Sequence, residues 1–241
     1  MLLQEEKMYV YAEKAVWCQL YIQQLEKIKK FAYSPFIDNL SRLEFSPGRV
    51  PGIVWINQHL KEINGWKVYE VAGLLDNHIF FEKMADKAFG VTTWLRKPEE
   101  LDYLEEPDMF HDVFGHVPLL CDPLISDYLH QMAIIALKYI TNEDAIEAIA
   151  RLYWYTIEFG MVIENGNLKI YGAGILSSIG ETDYCLSDKA NRVPFNLQRV
   201  LDTPYIKDNF QAQYFVLDCL EQLNLVIGQL ELFLAKDIAK L

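Results

Sequence analysis

Two histidines, His111 and His116, lie five residues apart within the segment PDMFHDVFGHVP at residues 107–118. Imidazoles are common ligands of transition metals, so this pair could bind a metal ion. On a regular α-helix the two side chains would diverge by roughly 140°, because successive residues turn by about 100°. We therefore predict that the helix loosens or ends at Gly115, ahead of Pro118, and that His116 turns back towards His111.

A carboxylate further along the chain could complete the ligand set. Glu158 is the only acid in the apolar segment 152–161, which is predicted to be a buried helix. On a helix it would share a face with Trp154, Tyr155, Met161 and Val162. A carboxylate among such neighbours must be paired, protonated or bound to a metal, because an isolated buried charge is unstable. Two imidazoles and one carboxylate are the ligands of non-haem Fe(II) oxygenases, which keep open positions for oxygen.

Other interpretations of these residues remain open. Catalytic zinc hydrolases use the same ligand types, although the zinc-protease pattern needs histidines four residues apart and a glutamate directly after the first. Here the acid after His111 is Asp112, so iron is favoured. A non-enzymatic metal-binding protein would fill every coordination position, for example with His130. The two histidines could also be polar residues with hydrogen bonds near a helix end.

Length and composition define the class of protein. The chain has 241 residues, 51% of them hydrophobic, and a net charge of −12. This length suits one large domain or two small ones, and the negative charge argues against a nucleic-acid-binding surface. No apolar run approaches the ~18 residues of a membrane span, and the first residues do not resemble a signal peptide. Four scattered cysteines without CxxC spacing indicate the reducing cytosol.

The elements that must position the ligands are predicted to be mostly helices. Apolar periodicity predicts helices over residues 9–31, 34–45, 53–63 and 126–140, another from a cap at Asn142 to Glu158, and a long C-terminal helix. Alternation predicts strands at 66–71 and 89–95, and Asn165-Gly166 predicts a hairpin over 162–171. No repeat or linker divides the chain, so the predicted fold class is mainly α with small β elements.

Two further features could bind organic ligands. Gly73 would let the backbone approach a flat ligand, and Phe80 or Phe81 could stack on it, although aromatic pairs more often fill a core. Arg96, at the end of a β-rich run, could bind a substrate carboxylate through two hydrogen bonds, or could form a surface salt bridge.

The chain resembles the pterin-dependent aromatic amino acid hydroxylases, and within them the bacterial members that act on phenylalanine. The matching blocks occur in family order: VAGLL at 71–75, EPD at 106–108, HDVFGHVPL at 111–119, YWYTIEFG at 153–160, YGAGILSSIGE at 171–181 and YCLS at 184–187. The resemblance implies a single catalytic domain of this type over residues 1–241. It also implies a monooxygenase that uses Fe(II), tetrahydropterin and O2 to hydroxylate L-phenylalanine to L-tyrosine.

The resemblance implies roles for individual residues. His111, His116 and Glu158 would bind Fe(II), with Tyr153 near the metal. Tetrahydropterin would stack on Phe80, or on Phe81 if the alignment is one residue off, and would contact Gly73, Leu74, Leu75 and Asp112. The substrate would contact Arg96, Tyr103, Trp154, Gly174 and Ser177.

Some positions depart from the animal enzymes of the family. Leu104-Glu105 replaces a Thr-Pro pair beside the substrate, and Gly90 replaces a histidine near the pterin. Trp154 stands where animal tryptophan hydroxylases carry phenylalanine, which favours phenylalanine as substrate. Hydroxylation of tryptophan or tyrosine is the alternative, with a zinc hydrolase as a remote one.

The resemblance also predicts a monomer without phenylalanine-triggered activation. The match begins within about ten residues of Met1, which leaves no room for the regulatory domain of the animal enzymes. The C-terminal stripe Val216, Leu220, Leu223, Ile227, Leu230 and Leu234 is too short for a coiled-coil arm. Further apolar residues make this helix apolar almost all round, which suits burial in its own core. We expect a cytoplasmic protein with small-molecule partners and no nucleic acid or membrane partner.

Overall fold

The fold is known from a computed structural model, which describes residues 7–101, 106–207 and 209–238. The α-helices are α1 (Tyr11–Ile28), α2 (Ser34–Arg42), α3 (Ile53–Ile63), α4 (Asn77–Ala85), α5 (Val117–Leu120), α6 (Pro123–Lys138), α7 (Glu143–Tyr153), α8 (Ala173–Leu176), α9 (Ile179–Leu186), α10 (Leu197–Asp202) and α11 (Gln222–Ile238). The strands are β1 (Lys67–Glu70), β2 (Ala88–Val91), β3 (Met161–Glu164), β4 (Asn167–Ile170), β5 (Arg192–Pro194) and β6 (Tyr214–Leu217). Two π-helices, Phe110–His116 and Trp154–Glu158, and a 3₁₀-helix, Pro98–Glu100, complete the list. The predicted class, mainly α with small β elements, is confirmed.

The strands form two small sheets. β1 and β2 are parallel, with Tyr69 opposite Gly90. The second sheet has the order β4-β3-β6-β5, in which only the β3–β4 pair is antiparallel. Asn165 and Gly166 both have positive φ, 51° and 77°, as a two-residue hairpin turn requires. The predicted hairpin is therefore confirmed.

The two long helices between the ligand-bearing segments, α6 and α7, begin at side-chain caps. Asp122 accepts hydrogen bonds from the backbone N–H groups of Leu124 and Ile125 at the start of α6. Asn142 accepts one from Ala145 N–H, at 3.0 Å, at the start of α7. The helix predicted from Asn142 therefore starts where the sequence indicates.

The end of that helix differs from the prediction. α7 changes into the second π-helix at Trp154 and ends at Glu158, and Met161 and Val162 lie in β3. The expectation that Glu158 shares a helical face with these two residues is wrong because the chain turns at Gly160. A Cβ atom at Gly160 would lie 2.1 Å from the carbonyl oxygen of Thr156, so only glycine fits this turn.

Aromatic side chains in the core fix the first π-helix. Phe110 and Phe114 stack on each other with centroids 4.6 Å apart, and both are fully buried. Trp17 and Tyr21 of α1 meet them edge to face, with centroids 5.5 and 5.3 Å apart. Each such pair contributes about 0.5–1.5 kcal/mol beyond the burial of its area. The N-terminal helix therefore holds the segment that carries both histidines.

The C-terminal part of the chain differs from the prediction in two ways. Val216 belongs to β6, which pairs with strands on both sides, so the residues of the predicted helical stripe do not share one helix. α11 packs against α6 and buries Leu223 and Leu230, whereas Leu225 and Leu232 are 66% and 64% exposed. The expectation of a helix buried all round is therefore wrong. No helix among the described residues is long and apolar enough to cross a membrane.

Candidate active site

The first π-helix places His111 and His116 side by side. Their Nε2 atoms are 3.2 Å apart, and the rings meet edge to face. Hydrogen bonds in a π-helix join residues i and i+5, so side chains five residues apart share one face. Of the two predicted alternatives at Gly115, the loosening of the helix is confirmed, because this segment is a π-helix, whereas the helix end is wrong, because the helical path continues through Gly115 into α5. Gly115 instead permits close packing, since a Cβ there would lie 3.0 Å from the carbonyl oxygen of Ala173.

Glu158, at the end of the second π-helix, completes the group. Its Oε1 lies 3.1 Å from His116 Nε2, and its Oε2 lies 3.6 Å from His111 Nε2. Among the residues that the structure describes, this is the one group of three or more His, Cys, Asp or Glu side chains with converging ligand atoms, all within 4.8 Å of one another. His130 is not part of it. The predicted metal site is confirmed.

The charges in this group suit a divalent cation. Burial alone would raise the pKa of Glu158, but the adjacent His116 and His111 outweigh burial and lower the pKa to about 2. Burial likewise tends to lower the pKa of His116, but the carboxylate of Glu158 raises it. Burial lowers the pKa of His111, and its partner imidazole adds to this effect. Glu158 is therefore ionised at neutral pH, as a metal ligand must be.

Two hydroxyl groups orient the ligands. Ser177 Oγ donates a hydrogen bond to the carbonyl oxygen of Ala173 at 2.7 Å, and it lies 2.9 Å from His111 Nδ1. Because the serine proton is already used, Ser177 accepts from Nδ1–H, which leaves the lone pair on Nε2 for a metal. Tyr153 donates a hydrogen bond to Glu158, and burial together with this carboxylate raises the pKa of Tyr153 well above its usual value.

Arg96 forms a buried ion pair instead of the surface salt bridge that the sequence left open. Arg96 Nη2 lies 2.8 Å from Asp108 Oδ1, and the two residues are 8% and 0% exposed. Burial tends to raise the pKa of Asp108, but Arg96 and the backbone N–H groups of Arg96 and His111 lower it. The sequence analysis did not single out Asp108, although it belongs to the matching EPD block.

A cavity of about 250 Å³ opens at the three ligands. Its wall contains many of the residues named from the sequence: Gly73, Leu74, Leu75, Phe80, Phe81, His111, Asp112, His116, Tyr153, Trp154 and Glu158. Arg96, Gly174 and Ser177 are not among its lining residues. Tyr103 lies outside the described residues, so its predicted role stays a prediction. The cavity thus joins the first π-helix, the second π-helix and the segment after β1.

The cavity wall includes the residues that are predicted to contact the pterin. Phe80 is half-buried, whereas Phe81 is 1% exposed, so Phe80 offers more surface to a ligand. Asp112 accepts hydrogen bonds from the N–H and the hydroxyl of Thr92, both at 2.8 Å, and burial raises its pKa. At Gly90 a Cβ would lie 2.9 Å from Val71 Cγ1. A histidine at this position would therefore require Val71 to move.

The cavity wall also contains residues that the sequence analysis missed. Tyr205 and Lys207 line the cavity, and Tyr205 stacks on Trp154 with centroids 4.6 Å apart. Trp154 also packs against Phe159, at 4.8 Å. Gly174 leaves room for Phe159, because a Cβ there would lie 2.9 Å from its Cζ. In the sequence, Tyr205 directly follows Thr203-Pro204, a pair that indicates a break in the chain and not a site.

Comparison with known proteins gives a consistent result. A family model described as biopterin-dependent aromatic amino acid hydroxylase matches residues 5–238. Phenylalanine-4-hydroxylase of Chromobacterium violaceum is 46% identical over 216 residues, which cover 89% of this chain and 72% of the relative. The enzyme of the same name from Ralstonia nicotianae is 43% identical over 216 residues, which cover 89% and 69%.

Solved structures agree with these relatives. A structure of the C. violaceum enzyme with bound iron(III) and oxidised 7,8-dihydrobiopterin has a TM-score of 0.88 at 44% identity, covering 95% of this chain and 84% of that one. A structure of the same enzyme with iron and phenylalanine has a TM-score of 0.86 at 42% identity, covering 94% and 84%. The chain belongs to the biopterin-dependent aromatic amino acid hydroxylases.

Proposed function

We propose that this protein hydroxylates L-phenylalanine to L-tyrosine, with Fe(II), tetrahydropterin and O2. The observation that carries the proposal is the group His111, His116 and Glu158, which faces a cavity with aromatic walls. The name phenylalanine-4-hydroxylase, shared by curated relatives at 40–46% identity, supports it. Hydroxylation of tryptophan or tyrosine is the alternative within the family.

The residues fit both ferrous iron and tetrahydropterin. Two imidazole nitrogens and one ionised carboxylate are a donor set for ferrous iron, and with three protein ligands further coordination positions stay free. Tetrahydropterin fits the wall formed by Gly73, Leu74, Leu75, Phe80 and Asp112. Apart from its two chain neighbours, no heavy atom of the described residues would lie within 4 Å of a Cβ at Gly73, so the backbone there is open to a flat ligand. We assign Phe80 as the ring that stacks on the pterin.

The substrate is assigned to the side of the cavity that contains Trp154. The indole would line the space for one benzene ring. Arg96 would bind the substrate carboxylate through guanidinium N–H groups that Asp108 does not use. Gly174 and Ser177 would shape the same region, and Tyr103 is assigned there by resemblance alone.

When bound, reduced pterin and ferrous iron supply the chemistry that activates O2 for insertion of one oxygen atom into the aromatic ring. The protein positions the reactants and excludes water. Tyr153 remains protonated at neutral pH because its pKa is raised, so it acts as a hydrogen-bond donor that holds Glu158, and not as a base. Ser177 holds the tautomer of His111 that leaves Nε2 unprotonated.

We further assign the protein to the cytoplasm as a monomer. Its four cysteines are free thiols, and burial raises the pKa of Cys121 and Cys185 to about 12. Such thiols suit a reducing compartment. Most of the C-terminal stripe packs inside the described chain, because the side chains of four of its residues are buried: Leu220, Leu223, Leu230 and Leu234.

One assay tests the reaction and its main competitor. The protein is incubated with L-phenylalanine, Fe(II), O2 and a tetrahydropterin, and the product is identified by mass spectrometry. We expect tyrosine, formed only when all four are present, and none from the Glu158→Gln variant. Hydrolytic turnover by the zinc-loaded protein, with no tyrosine from the iron-loaded one, would support a zinc hydrolase instead.

A further inference from the structure

We propose that Gln211 is a positioning residue that fixes the indole of Trp154 against the cavity and thereby sets which aromatic ring fits. This inference rests on the proposed function. Trp154 Nε1–H donates a hydrogen bond to Gln211 Oε1 at 2.8 Å. The two residues are 57 positions apart, and Gln211 is 2% exposed. A glutamine so deeply buried must satisfy its amide through specific partners.

The amide of Gln211 has one favoured orientation. Its Nε2 donates to the carbonyl oxygen of Ile206 at 2.8 Å and approaches that of Asn209 at 3.5 Å. A flipped amide would place its NH2 group against the indole N–H and its oxygen against a carbonyl. Because the flipped orientation brings like groups together at both ends of the amide, Oε1 stays on the side of Trp154.

The backbone at Gln211 is anchored from a different element. Its N–H donates to Glu181 Oε1 of α9 at 3.2 Å, and the hydroxyl of Tyr214 donates to the same oxygen. Glu181 and Tyr214 are 6% and 0% exposed. A continuous set of hydrogen bonds thus runs from α9 through Gln211 to a residue that lines the cavity.

The hydrogen bond to Gln211 fixes the indole of Trp154 within the plane of its ring, which ring stacking alone does not do. Trp154 lies against Phe159 and Tyr205, with interplanar angles of 38° and 26°. Stacked rings can slide over one another at small cost, whereas an N–H···O bond is directional. Without the acceptor at Gln211, the indole would lose its fixed position in its own plane. The boundary of the ring pocket would then be less sharply defined for phenylalanine against tryptophan.

The test uses the iron-loaded full chain and three variants. Gln211→Met keeps the length of the side chain but removes both polar groups. Gln211→Glu keeps an oxygen acceptor for the indole, and its buried carboxyl, held in the protonated form, can donate to the carbonyl oxygen of Ile206 in place of Nε2. Gln213→Met is the matched control, because Gln213 is also buried at 9% exposure but binds Asn191 and Arg199 instead of Trp154.

Three results are expected from steady-state kinetics. The ratio of kcat/KM for phenylalanine over tryptophan falls roughly tenfold in Gln211→Met, as expected for one lost hydrogen bond at a specificity pocket. The same variant forms less tyrosine per pterin oxidised. Gln211→Glu and Gln213→Met stay within about threefold of the wild type. A fall of the ratio in Gln211→Glu equal to that in Gln211→Met would overturn the proposal, since the acceptor would then be irrelevant.

A second measurement does not depend on activity. Indole N–H signals are recorded by NMR on the full chain loaded with diamagnetic Zn(II), and the signal of Trp154 is identified by its absence in Trp154→Phe. We expect this signal to move upfield in Gln211→Met and to stay in place in Gln211→Glu. If the wild-type protein forms no tyrosine, the proposed function is wrong. The NMR experiment then still tests the hydrogen bond between Trp154 and Gln211. An unmoved signal, or a moved signal with unchanged selectivity in an active enzyme, overturns the positioning role.

Discussion

Arg96 and Asp108 form a buried ion pair with two contact points, in which Nη2 lies 2.8 Å from Oδ1 and Nε lies 2.9 Å from Oδ2. Asp108 Oδ1 also accepts the backbone N–H of His111, at 3.1 Å. One carboxylate therefore holds both the proposed substrate-binding arginine and the start of the helix that carries the metal ligands. This arrangement fixes the distance between the two ends of the proposed reaction site.

Replacement of Asp108 by asparagine is expected to weaken substrate binding and stability together. The buried guanidinium would lose its counter-charge, which typically costs about 3–5 kcal/mol of folding free energy. We expect KM for phenylalanine to rise about tenfold or more, with a smaller change in kcat, because Arg96 would lose its orientation. Urea unfolding and steady-state kinetics measure the two effects. Lys97→Ala, at the exposed neighbouring position, is the control, and an unchanged KM in Asp108→Asn would contradict the assignment of Arg96.

Loss of any one metal ligand is expected to abolish tight Fe(II) binding while the fold remains. In His116→Ala and Glu158→Gln only two protein ligands are left, and removal of the Glu158 charge creates no new burial cost. Iron content after gel filtration and circular dichroism measure the two properties. His130→Ala should retain iron, because His130 is not part of the group. Full occupancy in His116→Ala would refute the ligand assignment.

Replacement of Trp154 by phenylalanine is expected to enlarge the ring pocket. The smaller side chain should raise kcat/KM for tryptophan relative to phenylalanine about tenfold, since one pocket contact discriminates on this scale. Competition between the two substrates in one reaction measures the ratio directly. Trp55→Phe, on α3 and away from the cavity, should leave it unchanged. A wild-type enzyme that prefers tryptophan would show that Trp154 does not set the preference.

Glu181 is expected to make stability depend on pH. Burial raises its pKa above the usual 4.5, so the folded state holds this proton more tightly than the unfolded state. Its contribution to stability is therefore complete below about pH 4.5 and is lost as the pH rises through the folded-state pKa. The Glu181→Gln variant has no titrating carboxyl at this position, so its stability does not fall in this way. The difference in Tm, variant minus wild type, should therefore increase from pH 4.5 to pH 7. A decreasing difference for Glu181→Gln would contradict the direction of the shift.

The protein is expected to sediment as a monomer near 28.0 kDa, with hyperbolic phenylalanine kinetics. We expect a monomer because the buried apolar side chains of α11 pack into the core of this chain and not against a second copy. Leu225→Lys and Leu232→Lys, at the exposed leucines, should leave the sedimentation coefficient unchanged. A stable tetramer with sigmoidal turnover would show that the monomer proposal is wrong.

The ligand types, the start of α7 and the hairpin followed from the sequence because each depends on neighbouring residues. Asn142 caps its helix through a residue three positions away, and Asn165-Gly166 supplies the positive φ angles of its own turn. The three metal ligands were identifiable because two histidines and one isolated acid are unusual in apolar surroundings. The matching blocks then indicated the family.

Only the tertiary structure decided how these residues meet. The π-helical path of Phe110–His116, in place of a helix end at Gly115, depends on packing against α1 and α8, far away in sequence. The strand at Val216 exists because partner strands lie on both sides of it, which outweighs a local helical pattern. Tyr205 and Gln211 reach Trp154 across about fifty residues. Local preferences are short-range, whereas a cavity wall is assembled by contacts between distant segments, so the spacing of residues along the chain does not reveal it.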